Sequence, residues 1–325
     1  MRAWLLLSTI AFIAITAGDA TEADNGDNCS SIAFIFKAYT ASPSLVERLA
    51  LAQQQFTACG GYFRVIYTFQ DLVNGTQEDQ AAAAARAAAD VGALRAALGR
   101  EAVIGLGPAD YAVVFGTEWA RLKEHEGLSG KWPKNFLWTH CDAPELAWFD
   151  MFSRDLPLTV KHVWTAEWDV GWTGSLPGIL LTFPRDADYI CFAHRTYGIR
   201  PRPNWTWAET RSWLDQGEIR RCAVFLTRWS WALLTAFRGE TRLGHMQYCE
   251  ASGASICAKH NLWCSIDTFN ESSPLIGKTR AGKALFAFNT KIHESTWRRI
   301  EHDARIQGFT QERPGQLYHK LRFDE

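Results

Sequence analysis

SIAFIFKAYTASPSLVERLALAQQQFTACGGYFRVIYTF, residues 31–69, decides the fold. It opens on a compact apolar run (31–36), closes on a second (62–69), and carries a helical pattern between them. Each run has strand length and is rich in aromatic and β-branched residues. Between them, Leu45, Leu49, Ala52 and Phe56 recur on one helical face. Two starts fit that helix: Ser42 capping with Pro43 in the first turn, or Ser44 capping with Glu47 three residues on. Gly60-Gly61 ends it. Strand, helix, strand is the unit of a parallel sheet, because two parallel strands need a crossover.

The same alternation continues outward. Residues 79–98 are Ala-rich with scattered Arg and read as a surface helix, inserted beside the strand pattern. Residues 110–123 fit either a strand or a helix, and 128–155 do not divide. Strands are expected at 160–168, 188–192 and 222–228, with helices at 206–217, 229–237 and 244–257 and again from Thr296. Thr206 with Glu209 makes a capping box, while Gly253 weakens the helix that contains it. No repeat or linker divides the chain, so the expectation is one α/β domain over 31–325 with a mostly parallel, mixed central sheet flanked by helices.

Composition sets the class. The 325 residues are 47% hydrophobic and 21% charged with a net charge of -1, which fits a globular chain and excludes the basic footprint of a nucleic-acid binder. Fifteen Trp exceed ordinary usage; a Trp-rich core accounts for most, and sugar-binding faces would use the rest. Residues 1–20 hold Arg2, a short apolar stretch and small residues at Gly18-Asp19-Ala20, the pattern of a secretory signal peptide, with a short signal-anchor as the alternative. Residues 21–30 form a polar leader, and a membrane association is expected only if the N-terminal segment is kept as an anchor. Eight Cys without any C-x-x-C spacing favour disulfides over zinc, and sequons stand at Asn28, Asn74, Asn204 and Asn270. All of this points to the lumen of the secretory pathway, the Golgi or beyond.

The chemistry centres on VWTAEWDVGWTG, residues 163–174, where an apolar run ends in Glu167 and Asp169. Acid-x-acid pairs also occur at Glu22/Asp24, Glu124/Glu126, Asp186/Asp188 and Glu301/Asp303, but only this one closes a strand. Ligands of open α/β sheets bind beyond the carboxyl ends of strands. In extended backbone i and i+2 share a side, so both carboxylates are expected to face one pocket and share Mg²⁺ or Mn²⁺. Gly171 is expected to let the backbone turn away and a ligand approach.

EWDVGWTG resembles the carboxylate motif of GT-A-type glycosyltransferases and is similar to that of an uncharacterised eukaryotic family of glycosyltransferase-like proteins. In family order, DADYICF (186–192), LTRWSWALL (226–234), GHMQYCEASGASIC (244–257) and LYHKLR (317–322) resemble its later segments. The resemblance implies a nucleotide-sugar donor and a glycan or glycoprotein acceptor. It implies Asp169 as metal ligand, Glu167 beside the ribose or a metal-bound water, and Lys37, Ala38 and Tyr39 against the base and diphosphate. It implies His319 as a second ligand, with His293 the alternative, and Arg322 near phosphate where the family has Lys. Glu250 is the candidate base for an inverting reaction; a retaining one needs none. The rival readings are a secreted carbohydrate-binding protein with a degenerate site and a different α/β enzyme.

Overall fold

A computed structural model describes residues 29–69, 76–116, 140–184, 186–193, 220, 222–245, 249–268, 292–306, 316–319 and 321–322. The sequons and the segments 1–28, 117–139 and 194–219 lie outside them, as does the expected helix at 206–217. The first half runs β1 (Ile32–Ala38), α1 (Pro43–Ala58), β2 (Tyr62–Thr68), α2 (Gln77–Leu98), β3 (Val103–Leu106), α3 (Pro108–Phe115), α4 (Ala143–Phe152) and β4 (His162–Ala166). Then come β5 (Val170–Thr173), α5 (Leu176–Leu181), β6 (Tyr189–Ala193), β7 (Ala223–Ser230), α6 (Trp231–Arg242), α7 (Cys249–Lys259) and β8 (Cys264–Thr268). The chain closes with β9 (Ile292–His293), α8 (Glu294–Ile306), β10 (Gln316–His319) and β11 (Leu321–Arg322).

Among the described residues, seven strands form one sheet in the order β3-β2-β1-β4-β7-β6-β8, and of these only β7 runs antiparallel to its neighbours. This is the mostly parallel, mixed α/β sheet expected. The pleat sends Phe34, Phe36, Trp164 and Leu226 to one face, where they pack with the apolar stripes of α1, α2 and α5. Ile35, Val163, Tyr189 and Trp229 go to the other, against α3, α4, α6 and α7. Helix α1 begins at Pro43, and the Ser42 side chain makes no cap bond. Its predicted face, Leu45, Leu49, Ala52 and Phe56, is buried.

Several expectations need correcting. The Ala-rich helix is not an insertion: α2 is the crossover between parallel β2 and β3, capped by a Thr76/Asp79 box and anchored through Ala87, Val91, Leu94 and Leu98. Strand β3 is too short at 4 residues for periodicity to reveal. Residues 108–115 are helix, and the undivided stretch contains α4. Gly253 sits inside α7 because a Cβ there would lie 2.6 Å from the Tyr189 hydroxyl and 2.9 Å from the Trp229 ring. Strand β4 stops at Ala166, and an unforeseen strand, β5, follows almost at once.

The eight cysteines pair as Cys29–Cys59, Cys141–Cys249, Cys191–Cys222 and Cys257–Cys264. Among the described residues no helix is long and apolar enough to cross a membrane.

Candidate functional site

Strand order reverses between β1 and β4. From β1 the chain moves outward through β2 to β3 over α1 and α2 on one face, then returns to β4 by way of α3 and α4 on the other. Such a divergence, here at the carboxyl ends of β1 and β4, marks the place where open α/β sheets bind ligands. The register aligns Phe36 with Ala166, so Lys37–Tyr39 and Glu167–Asp169 emerge side by side.

The two acids do not sit on extended backbone as expected. Residues 167–170 form a turn, in which the Val170 amide donates to the Glu167 carbonyl at 3.1 Å. The turn, not the strand pleat, therefore sets the two side-chain directions. Its backbone is held from three sides. Glu167 N–H donates to Phe225 O (2.8 Å), Arg48 Nη2 donates to Trp168 O (2.8 Å), and Leu321 N–H donates to Asp169 O (2.9 Å). Gln55, two helical turns after Arg48 on α1, clamps the far end of β5, donating to Gly174 O and accepting from Leu176 N–H. Asp169 is buried at 4% exposure, whereas the Glu167 side chain keeps 27%.

Lys37 faces inward. Its ammonium donates to Cys141 O (2.8 Å), pairs with Glu145 (2.7 Å) and lies 4.0 Å from Glu167. Burial alone would depress its pKa, but the Glu145, Glu167 and Asp142 carboxylates outweigh that and hold it above the ordinary value. Asp142 has the opposite balance: burial first, then the Glu145 charge, push its carboxyl up to about 7. Of the expected nucleotide loop, Ala38 is fully buried and Tyr39 is 36% exposed, its ring 4.9 Å from that of Trp168.

The C-terminal segment returns to the acids. β10 pairs antiparallel with β5, setting Tyr318 opposite Gly171 and His319 opposite Val170. β11 pairs with β9, setting Arg322 opposite His293. The space at Gly171 belongs to the protein and not to a ligand: a Cβ there would meet Leu321 Cδ1 at 2.4 Å and Trp297 Cη2 at 3.0 Å. His293 is exposed. Glu250 begins α7 beside Cys249, whose disulfide to Cys141 links it to the carbonyl that holds Lys37.

Sequence reasoning missed Glu145, Asp142, Arg48 and Gln55. The C-D-A-P-E segment, 141–145, does carry a helix-start signal in Pro144. Nothing local marks Arg48 and Gln55, because polar residues on a helix ordinarily face water.

No group of three or more His, Cys, Asp or Glu able to hold a metal is present among the described residues. What the turn offers is a pair of carboxylates. That donor set fits Mg²⁺ or Mn²⁺, hard ions bound through one or two carboxylates plus substrate phosphates and water.

No family model matches the chain, and no curated protein does. It is similar to solved structures of three glycosyltransferases. Mouse xyloside xylosyltransferase 1 is 10% identical, with 89% of this chain and 97% of that chain covered and a TM-score of 0.34. The galactosyltransferase LgtC, solved with donor and acceptor sugar analogues, is 13% identical, with 90% and 87% covered and a TM-score of 0.34. The mannosyltransferase Ktr4p of S. cerevisiae, in complex with GDP, is 12% identical, with 75% and 69% covered and a TM-score of 0.33.

Proposed function

We propose that this protein is a metal-dependent glycosyltransferase of GT-A type that takes a nucleotide-sugar donor and transfers the sugar to a glycan or glycoprotein. One observation carries the reading: Glu167 and Asp169 leave β4 beside the end of β1, at the point where strand order reverses and the crossovers change face. Asp169 would hold Mn²⁺ or Mg²⁺, with His319 as second ligand. The pairing of His319 with Val170, next to Asp169, favours it over exposed His293. The metal, when bound, supplies a Lewis acid that stabilises charge on the departing nucleotide.

The chain's own residues do the rest. The Tyr39 ring against Trp168 offers a flat surface for the base, while Ala38 is fully buried and offers the donor no surface. Lys37 holds Glu167 at the rim, toward the ribose or a bound water. Arg322 provides a cation for phosphate, and Glu250 serves as base if the reaction inverts configuration. Four disulfides support a luminal or secreted location. The test is a donor screen by mass spectrometry with Mn²⁺. Sugar release from at least one nucleotide-sugar is expected from the wild type, and release slower by about 100-fold or more from folded Asp169→Asn. Turnover by Asp169→Asn at the wild-type rate would refute the assignment.

A further inference from the structure

Tyr39 follows β1 and Trp168 follows β4, yet their rings meet with centroids 4.9 Å apart at an interplanar angle of 62°. Each backbone is tied to a buried polar side chain from another element. Arg48 of α1 donates to the Trp168 carbonyl at 2.8 Å. The Tyr67 hydroxyl, near the end of β2, lies 3.1 Å from the Tyr39 carbonyl and 2.7 Å from Asp90 Oδ2 of α2. Thr68, the next residue, donates to the Ala38 carbonyl at 3.3 Å. The register sets Ala38 against Tyr67, so the chain leaving β1 runs past two hydroxyls of β2.

The Tyr67 ring and the Tyr67 hydroxyl serve different ends. The ring is buried in the core and meets Phe69 edge-on at 5.6 Å, contacts that a phenylalanine would also make. The hydroxyl is the part that reaches the loop. Burial first, and then the Asp90 bond, raise its pKa, so the phenol keeps the proton that it donates. That single proton has two acceptors. The shorter, charge-assisted bond to Asp90 fixes the hydroxyl from α2, and the longer contact steadies the Tyr39 carbonyl. A half-exposed aromatic on a loose loop would have to be ordered when a ligand stacks on it, at a cost in affinity. Here the loop is ordered beforehand.

We infer that Tyr67 is a positioning residue: anchored by Asp90, its hydroxyl holds the Tyr39 backbone so that the Tyr39 ring stands preformed against Trp168 as a stacking surface for the donor's base. The inference rests on the reading of this strand end as a nucleotide-sugar site. Two measurements on the full chain test it. Isothermal titration with UDP, GDP, ADP and CDP in Mn²⁺ should find at least one that binds the wild type, and Tyr67→Phe should bind it about 2- to 10-fold more weakly, the scale of one neutral hydrogen bond. In a Tyr39→Ala background the same substitution should change nothing, because the group it positions is gone. Hydrogen exchange without nucleotide should speed up at the amides of residues 40 and 41 in Tyr67→Phe, while those of β1 stay protected. Unchanged exchange there, unchanged affinity in Tyr67→Phe, or an equal loss with and without the Tyr39 ring would overturn the positioning role alone. A wild type that binds none of the four nucleotides would overturn the stacking surface together with the donor-site reading, even if exchange showed the Tyr67 tie to be real.

Discussion

Lys37 carries a positive charge to a position with 6% exposure, and its two short contacts go to Glu145 and to Cys141 O. Removing one partner of a buried pair leaves the other charge unmatched. Lys37→Met should therefore cost about 3–5 kcal/mol in urea denaturation, and Lys37→Met/Glu145→Leu should recover most of it. Asp142 gives a second reading of the same cluster. Its folded pKa of about 7 lies above the unfolded value near 4. The group therefore favours the folded state fully below the unfolded pKa, and that contribution is lost as pH rises through the folded value of about 7. Melting Asp142→Asn beside the wild type from pH 4.5 to 8 should show the variant gaining relative stability with pH. A flat difference would mean that the carboxyl is not held protonated. Little of this cluster was legible in the sequence. Glu145 sits in a segment that periodicity does not divide, and its partner comes from a distant strand.

The decisive element is the pairing of β5 with β10, which ties the C-terminus to the acid turn through Leu321 N–H and Asp169 O. Gly171→Ala would push a methyl into Leu321 and Trp297. It should cost about 1–3 kcal/mol as an overpacking change. Hydrogen exchange should speed up for the amides of 316–322, while the amides of β1 and β2 remain protected. Equal protection in both segments would show that the glycine makes no room for the C-terminal strand. The sequence placed GWTG after the acids and LYHKLR at the end of the chain, but β5 was not visible as a strand. Four residues are too few for periodicity, and the partner strand lies far along the chain. The same limits hid β3. By contrast, β1, α1 and β2 were plain, because each buries a pattern long enough to read locally.

Across the whole molecule, one disulfide fastens the site's surroundings. Cys141–Cys249 spans 108 residues and joins the start of α4, with Asp142 and Glu145, to the start of α7, with Glu250. A loop of that length gives about 4–5 kcal/mol in the chain-entropy account. Cys141→Ser/Cys249→Ser should lose about that much stability and weaken any activity that needs Glu250 and Lys37 together. An unchanged melting temperature would contradict it. The even cysteine count told of disulfides but not of their pairing, since pairing follows from tertiary contacts that spacing does not encode. The mostly parallel sheet was legible for a different reason. Alternating strands and helices leave few ways to bury both faces.

The central claim is that the turn after β4 is a metal and nucleotide-sugar site built around Asp169. Donor turnover in Mn²⁺, measured by mass spectrometry for the wild type and for Asp169→Asn of equal melting temperature, tests it most directly. The account predicts turnover of at least one nucleotide-sugar by the wild type and a loss of about 100-fold or more in the variant, the scale of removing one preorganised electrostatic group. Wild-type protein that neither turns over nor is stabilised by any nucleotide-sugar with Mn²⁺, or a variant as active as the wild type, would contradict it.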